Sequence, residues 1–118
     1  MTYVDGYVLA VPTANKAAYK EIAEAFASMF KDHGALSVME CWGDDVPDGE
    51  ITSMRKAVLL KSDEAVVFSW VIWPSKTVRE DGMKKMMDDE RMKAMGPEGM
   101  PFDGKRMIMG SFESIVEA

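Results

Sequence analysis

The stretch 65-AVVFSWVIW-73 is the most apolar segment of the chain, and the prediction of the fold starts from it. Its Val, Ile, Phe and Trp residues favour an extended strand. Pro74 ends that strand, because proline has no backbone N–H to donate to a neighbour. Side chains alternate along a strand, so Phe68, Trp70 and Ile72 share one face and the odd-numbered positions share the other. One set is expected to face helices, and the sequence leaves open which.

Strands on either side of this segment extend it into a sheet. Strand-like composition predicts strands over 3–11, 35–43 and 106–116, with a short further strand over 55–61. Gly6 is a possible bulge or close-approach point in the first of them. The stretch 35–43 does not alternate cleanly between apolar and polar residues, which indicates a sheet covered on both faces.

Two helices are predicted between the strands. Apolar residues recur at three- and four-residue steps from Tyr19 to Phe30, with Thr13 or Asn15 as the cap and Gly34 as the stop. A second helix begins after Ser75 and runs to about Met87. It restarts near Asp89 and ends at 96–97. Gly82 lies inside the second helix and weakens its helical propensity.

Without the short strand, the element order is β-α-β-β-α-β, the ferredoxin-like arrangement of an α+β fold. Both helices then lie on one face of an antiparallel sheet. A chain of 118 residues has no further helices to cover the other face, although that face also carries apolar side chains. The sequence therefore predicts a homodimer joined through this face. Residues 1–118 are expected to form one domain.

Composition excludes several function classes. The chain has 14 Lys+Arg and 20 Asp+Glu, so its formal net charge is −6, which argues against a nucleic-acid partner because phosphates need clustered basic residues. A single Cys and a single His make a disulfide framework and a Cys/His zinc site unexpected. No apolar run approaches the roughly 20 residues of a membrane span. The first residues do not resemble a secretion signal, so a cytoplasmic location is expected.

Six segments carry a family resemblance: 3-YVDG-6, 33-HGAL-36, 40-ECWGDDVPDG-49, 66-VVFSW-70, 73-WPSK-76 and 100-MPFDGKRMI-108. Together they resemble the YbaA-like family, a domain of unknown function numbered 1428. The resemblance implies membership of the dimeric α/β-barrel superfamily, in which two ferredoxin-like sheets close a barrel across a two-fold axis.

The function implied by the resemblance is broad. The superfamily includes cofactor-independent monooxygenases acting on polycyclic aromatics, haem-degrading enzymes, lactone isomerases and proteins with no known reaction. The family supplies no agreed catalytic residues to carry over, and a shared fold does not fix a shared chemistry. No dinucleotide fingerprint is present, and no cofactor is assigned.

Three residues are candidates for proton transfer. Asp44 and Asp45 directly follow the second predicted strand, where a carboxylate at the mouth of a pocket can abstract or relay a proton. His33 is the only histidine; it is a candidate base or haem ligand, or simply a favourable residue at a helix C-terminus. With Asp48 and Glu50, the two aspartates form a solvated turn or a weak cation site, although their spacing is not that of an EF-hand loop.

The predicted strands carry five aromatic candidates for ligand binding: Tyr7, Trp42, Phe68, Trp70 and Trp73. Aromatic strand residues either fill a core or form a flat apolar pocket, suited to an aromatic or otherwise apolar small molecule. Arg106 is a candidate for holding an anionic group on such a ligand, with a salt bridge as the alternative.

The sulfur-containing residues favour packing over chemistry. Cys41 is interpreted as an inert buried thiol, since a nucleophile would need a base and only His33 is available. Eight of the 12 methionines lie between Met83 and Met109, where adaptable packing under the second helix is favoured over a copper site.

Two functions follow from these patterns. The first is a homodimeric barrel that binds a small apolar or aromatic molecule, with monooxygenase- or isomerase-like catalysis left open. The second is a non-catalytic dimeric module that binds a metabolite or a protein. A filled, dry barrel would favour the second, and a solvent-connected pocket with convergent polar groups would count against it.

Overall fold

Four antiparallel strands form the sheet of this protein, of which a computed structural model describes residues 1–95 and 100–118. Their spatial order is β2-β3-β1-β4, with the bounds β1 Tyr3–Pro12, β2 Ser37–Trp42, β3 Glu64–Trp73 and β4 Ile108–Glu113. The long strands β1 and β3 pair along their whole length, from Tyr3 opposite Trp73 to Pro12 opposite Glu64. The apolar stretch 65–73 is therefore a central strand, as predicted.

Helices connect the strands in the predicted β-α-β-β-α-β order. The main helices are α1 (Lys16–Asp32) and α3 (Lys76–Met87), and two short ones are α2 (Met54–Ala57) and α4 (Glu90–Met95). None of the helices in the described residues is long and apolar enough to cross a membrane.

Helix ends follow the predicted signals in part. The Ser75 hydroxyl accepts a hydrogen bond from the Val78 backbone N–H at 3.1 Å, so the predicted cap of α3 is confirmed. Gly34 has the left-handed φ of 114° expected of a helix stop. Asn15, one of the two predicted caps, occupies the N-cap position of α1 without a side-chain capping hydrogen bond, because it donates instead to the Pro101 carbonyl at 3.1 Å; Thr13 donates to the Asp63 carbonyl at 3.1 Å. The predicted end at 96–97 lies outside the described residues.

Two other local predictions are wrong. The segment 55–61 is not a strand. Instead, α2 begins at Met54, and Ser53 caps this helix because its hydroxyl accepts a hydrogen bond from the Lys56 backbone N–H at 3.0 Å. Gly6 forms no bulge, because it keeps continuous register with Trp70 on β3 and with a second glycine, Gly110, on β4.

The structure settles which strand face meets the helices. On β3 the odd positions, including Val67, Val71 and Trp73, are buried in the helix-facing core. The even positions Phe68 and Trp70 lie on the opposite face, which we call the open face.

The open face is covered only at one end. There the loop and helix between β2 and β3 pack Val46, Val58 and Leu60 against Ala10 and Val66. At the other end Phe68, Ile108 and Phe112 stay exposed around a shallow concavity of about 660 Å³. The expectation of a sheet covered on both faces thus holds at one end of the open face and not around the concavity, within the described chain.

Candidate functional site

Two adjoining cavities lie between α1 and the helix-facing side of the sheet. The first, of about 360 Å³, is bounded by the N-terminal half of α1 and by β2, with Trp42 and Val67 in its wall. The second, of about 230 Å³, is walled by aromatic rings that include Tyr7, Phe26 and Phe102. The walls are thus mainly apolar and aromatic, as small-molecule sites usually are.

A tyrosine–carboxylate pair joins the two cavities. Tyr19 of α1 and Glu40 of β2 line both of them, and the Tyr19 hydroxyl donates a hydrogen bond of 2.7 Å to Glu40 Oε1. Ser69 is the residue opposite Glu40 on β3, and its hydroxyl contributes to the electrostatic environment of this carboxylate. Tyr19 is buried, whereas Glu40 keeps contact with solvent at the rim. The pair therefore lies between the apolar interior and water.

The cavity environment changes the acidity of these groups. Burial raises the pKa of Glu40 above its ordinary value of 4.5, although the hydroxyls of Tyr19 and Ser69 lower it in part. Burial, reinforced by the hydrogen bond to Glu40, raises the pKa of Tyr19 well above 10. Burial also raises the pKa of Tyr7 to about 12, with Asp5 adding to the shift. Glu40 therefore takes up a proton at higher pH than an ordinary glutamate.

Charged residues of α1 surround the mouth of the first cavity. Lys16 Nζ lies 5.2 Å from the centre of the Trp42 ring, a cation–π contact that covers one side of the indole. Lys20 and Glu24 also line this cavity and form an exposed ion pair at 3.5 Å. The mouth is polar, in contrast to the aromatic wall behind it.

Trp73, a predicted ligand-binding residue, is part of a buried network. Its indole N–H donates to Asp5 Oδ2 at 3.0 Å, and Asp5 accepts further hydrogen bonds from Arg79 at 3.1 Å and from Ser111 at 2.6 Å. Asp5 and Trp73 have no solvent exposure, and the Phe30 ring packs edge-on against the indole. The network ties β1, β3, β4 and α3 together.

The structure does not bring the predicted proton-transfer residues together. His33 Nε2 lies 2.8 Å from Asp89 Oδ2, and Arg91 bridges Asp89 at 2.8 Å to Asp32 at 2.9 Å. The Arg91 guanidinium, followed by His33, holds the pKa of Asp89 below its usual range, and the cluster fastens the end of α1 to α4.

Asp44 and Asp45 are exposed beyond the opposite end of β2 from His33. The six residues of that strand span about 20 Å. These aspartates and His33 therefore belong to separate parts of the surface, and none of the three lines the two cavities.

The remaining predicted ligand residues are divided between regions. Tyr7 and Trp42 line the cavities, whereas Phe68 and Trp70 lie on the open face with ring centres 5.4 Å apart. Arg106 is held elsewhere: its guanidinium pairs with Glu64 at 2.6 Å and lowers the pKa of that carboxyl to about 2. This corresponds to the salt-bridge alternative for Arg106.

Two alternatives left open by the sequence find no support in the geometry. Within residues 1–95 and 100–118, no group of three or more His, Cys, Asp or Glu side chains could hold a metal ion, the acidic loop included. Cys41 pairs with Phe68 on β3, at the far end of β2 from His33, so it has no histidine base at hand.

Sequence reasoning missed Glu40, Tyr19 and Ser69 as site residues. A signal was present, because Glu40 is the one charged residue among the apolar even positions of its strand. Tyr19 likewise carries the one hydroxyl on the apolar stripe of α1. A carboxylate that faces the helices needs a partner, and the packing of α1 across β2 supplies the Tyr19 hydroxyl.

This geometry defines an α+β protein with helices on one face of an antiparallel sheet and an apolar cavity beneath the longest helix. The sequence profile of the family described as "Protein of unknown function (DUF1428)" matches residues 2–104, so the chain belongs to that family. The YbaA-like resemblance is thereby confirmed.

Relatives extend this result over the full chain. "Uncharacterized protein YbaA" of Escherichia coli (strain K12) is 56% identical over 117 residues, which cover 99% of each chain. The protein of the same name from Shigella flexneri has the same identity and coverage. Among solved structures, that of Rv0793 from Mycobacterium tuberculosis aligns with a TM-score of 0.55 at 9% identity, covering 100% of this chain and 99% of the other. At that identity it supports the fold alone.

Proposed function

We propose that this protein binds a small apolar or aromatic molecule in the cavities between α1 and the sheet. The observation that carries this proposal is the Tyr19–Glu40 pair, which places a hydrogen-bonded carboxylate between two cavities with mainly apolar walls. A few polar groups that orient a ligand within an apolar pocket are typical of small-molecule sites. The total volume of the two cavities suits a ligand of one or two rings.

The test uses cavity filling and a neutral bicyclic probe, 1-methoxynaphthalene. Ala27 lines the first cavity from α1, so Ala27→Trp places an indole where the ligand would lie. Ala17→Trp is the matched control, because Ala17 is exposed on the same helix. Equilibrium dialysis is expected to give saturable binding to the wild type and to Ala17→Trp, and at least tenfold weaker binding to Ala27→Trp. Equal binding by Ala27→Trp would overturn the proposal, as would an absence of saturable wild-type binding both of this probe and of its hydroxyl analogue 1-naphthol.

We also propose that the protein is a homodimer joined through the open face. The concavity there is lined by apolar side chains and glycines, including Val4, Val8 and Trp70, and carries no charged side chain among the described residues. The two main helices, α1 and α3, lie on the opposite face, so the described elements leave these side chains only partly buried. An uncharged apolar surface suits a second copy of itself, because two-fold pairing places the same side chains on each other.

Catalysis and cellular location stay predictions. Monooxygenase- or isomerase-like chemistry requires the ligand site proposed above, as does a non-catalytic module that binds a metabolite, whereas a module that binds a protein does not. The cavity offers proton-active groups in Glu40 and Tyr19, which is compatible with the first. The cytoplasmic location rests on the sequence expectation.

A further inference from the structure

We propose that the cavity ligand is an aromatic molecule bearing a neutral hydroxyl group, such as a phenol or an enol, whose O–H donates to the Glu40 carboxylate. This inference rests on the cavity binding proposed above and names the chemical class of its ligand. It assigns to Glu40 a role in recognition that neither the family description nor the relatives' names contain.

The hydrogen bond already present at Glu40 determines what it can recognise. An ionised carboxylate is an acceptor with about four lone-pair sites and no proton to donate. The Tyr19 hydroxyl donates to one oxygen of the Glu40 carboxylate, so the carboxylate retains acceptor capacity and attracts a further donor. A ligand with only acceptor oxygens would gain nothing from Glu40.

The aromatic part of the ligand follows from the walls on either side. Trp42 closes the first cavity beside Glu40 on the same strand, and Tyr7, Phe26 and Phe102 enclose the second. Aromatic rings packed against such walls gain from stacked or edge-on contacts beyond the burial of area.

A neutral hydroxyl fits the charges at the mouth better than an ammonium group does. Lys16 and Lys20 line the first cavity; Glu24 pairs with Lys20, so a cationic ligand would still meet the positive charge of Lys16 on entry. A neutral hydroxyl avoids this repulsion and still supplies the proton that the carboxylate attracts.

The test compares two probes that share the same ring system. 1-Naphthol carries a hydroxyl, whereas 1-methoxynaphthalene carries an ether oxygen that cannot donate. At pH 7.5 the wild type is expected to bind 1-naphthol about tenfold more tightly in equilibrium dialysis, since a hydrogen bond to a charged acceptor strengthens binding by at least that factor. Glu40→Gln is expected to shrink this preference to about twofold.

Glu24→Gln is the matched control, because Glu24 lines the same cavity and the change removes the same charge at the exposed mouth. It is expected to keep the preference for 1-naphthol. Equal binding of both probes by the wild type, or an unchanged preference in Glu40→Gln, would overturn the hydroxyl inference and leave the proposed function intact. Binding of neither probe would overturn the proposed function itself, and this inference with it.

Discussion

Asp5 and Glu40 both project from the sheet toward the helices, but their surroundings differ. Asp5 has no solvent exposure, and its partners are a guanidinium, an indole N–H and a hydroxyl. Glu40 lies at a cavity rim with a hydroxyl partner and no guanidinium bonded to it among the described residues. The contacts of Asp5 thus stabilise the fold, whereas the Glu40 carboxylate can still accept a hydrogen bond from a ligand.

Removal of the buried carboxylate should be costly. Asp5→Ala leaves Arg79 without its counter-charge and the Trp73 indole N–H without its acceptor. We expect a loss of about 3 kcal/mol in the free energy of unfolding, measured by urea denaturation, because breaking one side of a buried pair strands the other. The double variant Asp5→Leu with Arg79→Met should recover part of this loss. An Asp5→Ala variant within about 0.5 kcal/mol of the wild type would contradict the network's role.

The acidity of Glu40 should depend on its hydroxyl partner. The Tyr19 hydrogen bond favours the charged form, so Tyr19→Phe is expected to raise the pKa of Glu40 further above 4.5. Burial already raises the pKa of Glu40 in the folded wild type, and the variant raises it further. Glu40 therefore becomes protonated at a higher pH in the variant than in the wild type. A carboxyl-¹³C NMR titration measures this directly.

Tyr7→Phe is the control for this titration, since Tyr7 lines the second cavity but does not hydrogen-bond to Glu40. The other charged groups around the site are Lys16, Lys20 and Glu24 of α1, which all three proteins share. A Glu40 pKa that is unchanged or lowered in Tyr19→Phe would show that the hydroxyl does not stabilise the carboxylate.

The elements themselves were largely predictable from periodicity, and the exceptions have local causes. The stretch 55–61 resembles a strand in composition, but the Ser53 cap starts a helix at Met54 instead. Gly82 lowers the propensity of α3, yet α3 continues through it. A glycine is needed here because α3 packs closely against the end of α1, and helix propensity contains no information about such packing.

Gly82 allows α3 to approach the end of α1. A Cβ atom at this position would lie 2.5 Å from the His33 carbonyl oxygen and 2.6 Å from Cζ3 of the buried Trp73 ring. Gly82→Ala would gain about 1 kcal/mol of helix propensity but should lose more through overpacking, for a net destabilisation of about 2 kcal/mol by thermal or urea unfolding. Gly104→Ala, where a Cβ meets nothing within 4 Å, is the neutral control. A stabilised Gly82→Ala protein would refute the close-packing explanation.

The candidate site was less predictable than the elements because it depends on pairing between distant segments. Tyr19 and Glu40 are 21 positions apart on different elements, and only the packing of α1 across β2 brings them within hydrogen-bond distance. Alternation along the sequence identified which residues share each face of β3, but not which elements pack against each face. The sequence candidates Asp44, Asp45 and His33 followed strand and helix ends, which the structure places at opposite ends of β2.

In the molecule as a whole, one face of the sheet is covered by helices, and the other, the open face, is covered only in part. The helix side holds the cavities and the buried Asp5 network. The open face exposes Phe68, Ile108 and Phe112, and the Phe112 ring lies beside Gly6 and Gly110, whose lack of side chains leaves room for it. An apolar surface of this kind is unfavourable in water, so a second copy is the proposed cover.

A charge on this surface should separate the two copies. Phe112 is 60% exposed, so Phe112→Glu changes the surface with little effect on the fold, but in the proposed dimer it buries a like charge from each copy in the interface. Sedimentation equilibrium is expected to give a dimer for the wild type and a monomer for Phe112→Glu at the same concentration. Met87→Glu, at a residue 71% exposed at the end of α3 on the helix side of the sheet, should remain dimeric. A monomeric wild type, or a Phe112→Glu protein that stays dimeric while folded, would require a different cover for the open face.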